Sequence, residues 1–122
     1  MRKSEAKIGG KTYLMVLSLK TLIEADELGI NLEKMKKKDG SEIGALDMLP
    51  IVAAMINSGA AYSKETGGPE YPPADMEKLS ILIGLDEVNY LSKIIVSLIR
   101  VDQKIEAVNT KNAETTPTDQ MS

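Results

Sequence analysis

The sequence predicts an α+β domain, mainly α, with an N-terminal β-hairpin, about five helices and a disordered C-terminal tail. Gly9-Gly10 separates two runs compatible with β-strands, and paired glycines favour a two-residue hairpin turn. Downstream, apolar residues recur with the three-and-four spacing of amphipathic helices. After Val108 the chain is polar, so burial of apolar side chains cannot offset the entropy lost on ordering it.

A length of 122 residues fits one domain, which we place at residues 1–107, with a polar tail at 108–122. Apolar residues make up 43% of the chain and charged residues 27%, which is ordinary for a globular protein. Phe and Trp are absent, so the core must be aliphatic and include some of the seven methionines.

The first elements are a hairpin and a helix. In the second strand, over residues 12–17, apolar side chains occur at both the even-numbered and the odd-numbered positions. We therefore expect both faces of this strand to be covered. Ser18 suits the N-cap of the following helix, and Gly29 suits its end. The apolar stripe of this helix consists of Leu19, Leu22, Ile23 and Leu28.

A second, short helix is predicted after the cap residue Asn31. Leu32 and Met35 would point inward and the neighbouring lysines outward. The helix should end by Lys38, because Asp39-Gly40-Ser41 is typical of a turn.

The third helix is predicted to begin near Asp47. With Asp47 as N-cap, Pro50 falls in the first turn, where its missing N–H has no acceptor in any case. The residues expected to face inward are Leu46, Leu49, Val52, Ala53, Met55 and Ile56. Residues 63–73 follow, rich in Gly and Pro, and predict an exposed connecting loop.

Two further helices are predicted, a short one over residues 74–83 and a long one over residues 85–107. Asp86 suits the N-cap of the long helix, and Gly84 can end the preceding helix in a left-handed conformation. The stripe of the long helix is Val88, Leu91, Ile94, Ile95, Leu98, Ile99, Val101 and Ile105. The residues nearest the centres of the stripes, and so predicted for the core, are Leu22, Ile23, Leu79, Leu91, Ile95 and Leu98.

The chain contains neither His nor Cys, which removes the usual general base, the thiol nucleophile and the common zinc ligands. The glycines of the 63–73 loop lack the Gly-Lys-Ser/Thr step of a phosphate-binding loop. We therefore expect no enzymatic activity, no cofactor and no metal site.

A net charge of −3 and a single basic run, Lys34 to Lys38, argue against a general affinity for nucleic acid. We expect these lysines to form a solvated face. No run of 18 apolar residues is present, and the basic N-terminus leads into no apolar signal core, so we expect no membrane partner and a cytoplasmic location.

Three stretches resemble the small tail assembly chaperones of long-tailed (siphovirus-type) bacteriophages. Residues 8–13 (IGGKTY) are similar to the opening strand pair of that family, I-x-G-K-x-Y. Residues 22–24 (LIE) with 28–32 (LGINL) are similar to its I-I-E-x-x-x-x-L-G-x-N-x-L pattern, with a spacer one residue shorter here. Residues 73–79 (PADMEKL), with the Gly-ended turn and long helix that follow, resemble its C-terminal half. The stretch from Met48 to Pro73 is richer in Pro and Gly than in that family.

The resemblance implies a non-enzymatic factor that binds the long tape-measure protein, keeps it soluble and helps recruit tail tube subunits. Such proteins act in the host cytoplasm and are absent from the mature virion. Many also occur in a longer, frameshifted form. An excess of apolar surface over what the core needs would also favour self-association when the client is missing.

An aliphatic, Met-rich helical protein can present a groove to apolar helices of varied sequence. The candidate partner-binding residues are Met48, Ile51 and Met55 on the third helix, with Ile94 and Val101 on the last.

Two other functions remain open at this point. A structural phage connector protein would also be small and helical, but it would be present in purified virions. A small helical DNA-binding regulator would need Lys34 to Lys38 for its phosphate contacts, and failure to bind duplex DNA at low salt would exclude it.

Overall fold

The computed structural model describes the backbone of residues 2–111 and the side chains of residues 2–100. The α+β class, the predominance of helix and the N-terminal hairpin are confirmed, with four α-helices in this part of the chain where about five were predicted. In chain order the elements are β1 (Lys3–Ile8), β2 (Lys11–Val16), α1 (Leu19–Glu27), β3 (Ile30–Asn31), a 3-10 helix (Leu32–Lys34), β4 (Lys36–Lys37), α2 (Ala45–Glu65), α3 (Met76–Leu82) and α4 (Leu85–Lys111).

The hairpin forms as the glycine pair predicts. Strands β1 and β2 are antiparallel, with Ile8 opposite Lys11. Gly9 and Gly10, which join them, have φ angles of +57° and +83°, the left-handed region that a tight hairpin turn requires and that glycine adopts without strain. Residues 13–16 of β2 are all buried, which confirms that both faces of this strand are covered.

Helix α1 begins at its predicted cap. The Ser18 hydroxyl accepts a hydrogen bond from the backbone N–H of Thr21. The Thr21 hydroxyl in turn donates to the carbonyl oxygen of Val16, 2.9 Å away, and shares a 2.8 Å hydrogen bond with the hydroxyl of Ser58 on α2. This buried cluster ties β2, α1 and α2 together.

The buried face of α1 is carried by small side chains. Thr21 and Ala25, one turn apart, are fully buried, and Leu22 is half-buried against the core. Ile23 is 58% exposed, so the prediction that it belongs to the core is wrong. Two small residues occupy the centre of the contact, and of the large aliphatic residues in the predicted stripe only Leu22 packs against the core. Leu19 and Leu28 are exposed, as Ile23 is.

The predicted second helix is a single 3-10 turn. Asn31 caps it by accepting from the N–H of Lys34, and Leu32 is buried as expected. Met35 then takes a left-handed conformation with φ of +53°, which turns the chain so that β4 pairs with β3. This reversal stops the helix after one turn and accounts for the lower helix count.

Helix α2 begins at Ala45, two residues earlier than predicted. Asp47 is not the N-cap: it is the third helical residue, and its carboxylate accepts from the backbone N–H of Gly44 at 2.8 Å. Pro50 consequently lies inside the helix rather than in its first turn. Leu46, predicted to face inward, is 92% exposed, because the earlier start places it on the outer side of the first turn.

The middle of α2 is the centre of the domain, with β2, α1, α3 and α4 packed around it. Residues 51–56 are all buried, whereas Leu49 is only partly so. By length and composition alone α2 would also suffice to cross a membrane, with a mean hydropathy of 1.2 over its most apolar window. Half of that window is buried within the domain, and the central helix of a folded protein passes the same test.

The connection between α2 and α3, over residues 66–75, is irregular. The predicted loop, 63–73, began three residues too early, and the helix predicted over 74–83 is α3, Met76–Leu82. Two hydrogen bonds hold the connection to neighbouring elements. The Ala74 N–H donates to the side-chain oxygen of Asn57 at 2.9 Å. The Tyr71 hydroxyl donates to the carboxylate of Glu5 on β1 at 2.6 Å.

Helix α4 starts one residue before the predicted cap. Leu85 is its first residue, and the carbonyl of Gly84 accepts from the N–H of Val88 at 2.9 Å, as an N-cap does. Glu87 accepts from the Gly84 N–H at 2.8 Å. The prediction of Asp86 as N-cap is therefore wrong. Gly84 was predicted to end α3 in a left-handed conformation. Its φ lies outside the left-handed region, and it caps α4 instead.

The core joins both faces of β2 to α2, α3 and α4. Four of the six predicted core residues are buried, Leu79, Leu91 and Ile95 completely and Leu98 almost so. Helix α4 continues to Lys111, past the predicted boundary at residue 107. Residues 112–122, which hold most of the predicted tail, lie outside the described part of the chain.

Candidate partner-docking surface

The structure places three of the five predicted contact residues in the core. Met48 is 5% exposed, and Ile51 and Met55 are completely buried, because α2 is surrounded on several sides. Ile94 is half-buried and packs against the core. Val101 lies on α4 beyond the residues whose side chains are described. In this conformation Met48, Ile51 and Met55 are not accessible to a partner.

Other large apolar side chains are exposed on the folded helices. They are Leu19, Ile23 and Leu28 in and beside α1, Leu46 on α2, Met76, Ile81 and Leu82 on α3, and Leu85 and Tyr90 on α4. Leu46 is 92% exposed, Ile81 76% and Leu85 75%. Single exposed leucines are normal on protein surfaces, so the informative question is which of them lie together.

Leu46 and Leu85 line the same depression. We call it the α2–α4 groove; its lining residues are Ala45, Leu46, Leu49, Ser80, Ile83, Gly84, Leu85 and Val88. It has a volume of about 350 Å³ and is open to solvent on one side. A dry cavity of roughly 150 Å³ holds a benzene molecule, so the groove has room for about two aliphatic side chains.

The groove forms because α2 and α4 begin in the same way. In each helix a glycine precedes the first turn, and an acidic side chain at the third helical position accepts that glycine's N–H: Asp47 for Gly44 and Glu87 for Gly84. These caps fix the first turns of both helices beside the end of α3. Each first turn then carries one exposed leucine.

Asp47 is also ion-paired. Its carboxylate lies 3.3 Å from the Lys37 ammonium group. The hydrogen bond from Gly44, followed by the contacts with Lys37, lowers the pKa of Asp47 below that of a free aspartate. Asp47 therefore stays charged and keeps the start of α2 in place at neutral pH.

A second exposed apolar pair lies on α1. Leu19 and Ile23, one turn apart, are 77% and 58% exposed. Neither lines the α2–α4 groove. The pair therefore offers a natural comparison: it is similarly aliphatic and exposed, but it lies outside this groove.

The basic run is largely neutralised within the domain. Lys36 lies 3.7 Å from Glu42, Lys37 pairs with Asp47, and Lys38 lies 3.1 Å from Asp26. Exposed pairs of this kind contribute little to stability, but they divide the positive charge among separate acidic partners. The run is not the concentrated cationic face that phosphate binding requires.

A further cleft lies between the hairpin and the end of α2, with a volume of about 300 Å³. Tyr62 and Tyr71 line it, and the Lys3 ammonium group lies 5.5 Å from the centre of the Tyr62 ring. The hydrogen bond to Glu5 raises the pKa of Tyr71 above its ordinary value. Two pairs of these lining groups thus contact each other, Tyr71 with Glu5 and Lys3 with Tyr62.

In the part of the chain that the structure describes, no group of three or more acidic residues is placed to hold a metal ion. Asp39, whose pKa is lowered by hydrogen bonds from Ser41, serves the turn that precedes α2.

No family model, curated protein or solved structure matches this chain.

The exposure of Leu46 and Leu85 was not predicted because the starts of α2 and α4 were misplaced. An acidic residue near a helix start can be the cap itself or can reach back to the cap from the third position, and these two arrangements look alike in sequence. The signal that separates them is the preceding glycine, Gly44 or Gly84, with the acid three residues later.

Proposed function

We propose that the chain is a non-enzymatic phage tail assembly chaperone, which binds the tape-measure protein, keeps it soluble and helps recruit tail tube subunits. One observation carries the proposal: two exposed leucines, which lie outside the buried core, line one apolar groove. Leu46 and Leu85 are not needed to fill the interior, and their exposure to water is unfavourable unless a partner covers them.

The residues that resemble the tail assembly chaperones lie at turns and helix ends. Residues 8–13 span the hairpin turn, and residues 28–32 run from the C-cap of α1 through β3 to the first residue of the 3-10 helix. These stretches determine local structure, so their likeness to the family concerns architecture. The inference of a chaperone for an apolar helical client depends on the exposed surface.

A helix is the client conformation that this surface suits. Apolar residues three and four positions apart form a narrow row on a helix, and such a row can enter an aliphatic groove without specific polar contacts. In the absence of the client, the same surface would be covered by other copies of this chain.

Co-expression with the tape-measure protein encoded nearby tests the proposal. The wild-type chain is expected to hold that protein in the soluble fraction and to co-purify with it. A variant with Gln at positions 19, 23, 46 and 85 should remain folded by circular dichroism and lose the complex, while Glu65→Gln, an exposed polar control, should retain it. An insoluble tape-measure protein beside abundant wild-type chain would contradict the proposal.

Mass spectrometry of purified virions separates this function from that of a connector protein. A chaperone leaves the particle, so its peptides should be absent, whereas a structural connector would be present in stoichiometric amount. The ion pairs of Lys36, Lys37 and Lys38 make a DNA-binding regulator the less supported alternative.

A further inference from the structure

The two edges of the hairpin differ in how their backbone groups are used. On the outer edge of β2, the Val16 carbonyl accepts from the Thr21 hydroxyl, and Gly59 of α2 lies against the Leu14 carbonyl. Helices α1 and α2 therefore cover that edge. The outer edge of β1 pairs with no strand in the described part of the chain, where the hairpin is a sheet of two strands.

The backbone groups of every second residue of β1 point away from β2, as in any antiparallel pair. The Lys7 N–H identifies these residues, because it donates to the Tyr90 hydroxyl on α4 at 3.3 Å. Lys3 and Glu5 lie four and two positions earlier on the same strand, so their N–H and carbonyl groups point the same way. Val16, which is opposite Lys3, likewise directs its carbonyl away from the hairpin.

The outward backbone groups of Lys3 and Glu5 are largely unpaired. Within the described residues, neither N–H donates a hydrogen bond, and the Lys3 carbonyl accepts none. The Glu5 carbonyl accepts one long hydrogen bond, from the Ser4 hydroxyl at 3.3 Å. Both residues are exposed, so water can solvate these groups. A row of unpaired donors and acceptors on an edge strand is the surface to which a further strand adds.

The charges on this edge match those of a second copy of the same strand. Two copies of β1 related by a two-fold axis pair in antiparallel fashion, and their outward-directed residues meet. With the axis at Ser4, Lys3 lies opposite the partner's Glu5, and Glu5 lies opposite the partner's Lys3. Opposite charges that face each other across two strands stabilise the pairing.

The other registers are less favourable. An axis at Lys3 or at Glu5 would place identical charges opposite each other, and like charges across two strands are destabilising. An axis at Ala6 would place Glu5 opposite the partner's Lys7, but it requires the Lys7 N–H, which already donates to Tyr90. Tyr90 therefore ends the free part of the edge, which leaves the first register.

We propose that two copies of the chain pair through the outer edges of β1, antiparallel and with the two-fold axis at Ser4. The result is a four-stranded sheet with the two β1 strands at its centre. In each of the two symmetry-related pairs, Lys3 and the partner's Glu5 exchange both N–H···O=C hydrogen bonds. One short strand pair is a small interface, so the dimer should be weak and concentration-dependent. This inference does not depend on the proposed function, because it concerns the hairpin and not the α2–α4 groove.

Charge reversal tests the pairing through the dimer Kd, measured by analytical ultracentrifugation at low salt. Lys3→Glu and Glu5→Lys, made singly, should each weaken the dimer roughly tenfold or more, because both cross-strand pairs become like-charged. The double variant exchanges the two charges and should return the Kd toward that of wild type. Lys7→Glu, an exposed control on the same strand, should not weaken the dimer in this register.

Amide exchange measured by NMR locates the contact. The N–H groups of Ser4 and Ala6 point toward β2, so they should exchange slowly at every protein concentration. The N–H groups of Lys3 and Glu5 face solvent in the monomer, so their exchange should slow as the concentration rises and the dimer forms. Free exchange of the Glu5 amide in a dimer would overturn the proposal.

Two further results would overturn it: a wild-type chain that stays monomeric at millimolar concentration, and a dimer whose Kd the single charge reversals leave unchanged. Leu46→Gln with Leu85→Gln should keep the dimer, and loss of association in that variant would place the contact on the α2–α4 groove instead. All five substituted positions are exposed, so every variant should keep the wild-type circular dichroism spectrum.

Discussion

Gly59 of α2 lies against the backbone of Leu14 in β2. A Cβ atom added at Gly59 would come within 1.8 Å of the Leu14 carbonyl oxygen. No side chain can occupy that space, so the contact requires glycine and sets how closely the central helix approaches the hairpin. On the same side of β2, the Val16 carbonyl oxygen accepts from Thr21. The helices thus cover the outer edge of this strand, which would otherwise be open to pairing with another chain.

Gly59→Ala should destabilise the domain by about 1–3 kcal/mol or more, because α2 would have to move away from β2. Within a helix, alanine is ordinarily more stabilising than glycine by up to about 1 kcal/mol. Helix propensity alone would therefore predict that Gly59→Ala stabilises the domain. Urea unfolding measures it. Lys64→Ala, exposed on the same helix, is the control and should change the free energy of unfolding by less than about 0.5 kcal/mol.

Thr21→Val should cost about 1–3 kcal/mol of stability, because it keeps the side-chain shape but leaves the buried Val16 carbonyl without its donor. Thr21→Ser preserves the hydroxyl and should cost less. A double-mutant cycle with Ser58→Ala should show coupling between the two positions, because their hydroxyls share one hydrogen bond. Strict additivity would mean that this bond does not contribute.

Leu91→Ala should destabilise the domain by roughly 2–5 kcal/mol, since Leu91 is completely buried on α4. The matched substitution Ile81→Ala, at a residue that is 76% exposed, should cost well under about 1 kcal/mol. Thermal unfolding of both variants gives the comparison. Similar costs at the two positions would contradict the placement of α3 and α4.

Asp47→Ala should lower the Tm at neutral pH, because it removes the acceptor for the Gly44 N–H and the partner of Lys37. The pKa of Asp47 is lowered in the folded chain, so this stabilisation is present above the unfolded pKa, near 4, and is lost as the pH falls through the folded value. The Tm difference from wild type should therefore shrink below about pH 4. A difference that is constant with pH would indicate that the charge on Asp47 is not involved.

The Glu5 carboxylate should delay ionisation of Tyr71. Because the folded-state pKa of Tyr71 is raised, its contribution to stability is present below about pH 10 and is lost as the pH rises through the folded value. Ultraviolet titration of wild type against Tyr71→Phe isolates this residue. Glu5→Gln should return its pKa toward that of a free tyrosine, and no change would show that the hydrogen bond has no effect on the titration.

The local signals of the sequence predicted much of the fold. Gly9-Gly10 identified the hairpin turn, and Ser18 identified the start of α1, because each determines nearby backbone geometry without help from the rest of the chain. Leu91 and Ile95 were assigned to the core correctly, because the apolar stripe of α4 has one clear centre.

Tertiary packing explains where prediction failed. The spacing of apolar residues in α1 indicated Ile23 as a core residue, but α1 meets α2 through the small Thr21 and Ala25. Which face of α1 is buried depends on how closely the two helices approach. Met48 and Ile51 were expected to face a partner because α2 is apolar around most of its circumference. Periodicity cannot tell which apolar faces the rest of the same chain will cover.

Hydrogen–deuterium exchange of the chain, alone and with saturating tape-measure protein, tests the central claim most directly. We expect slower exchange in the first turns of α2 and α4 and at the end of α3, where the partner would cover the α2–α4 groove. The hairpin turn at Gly9-Gly10 serves as an internal reference and should be unchanged. No protection anywhere in the chain would contradict the account.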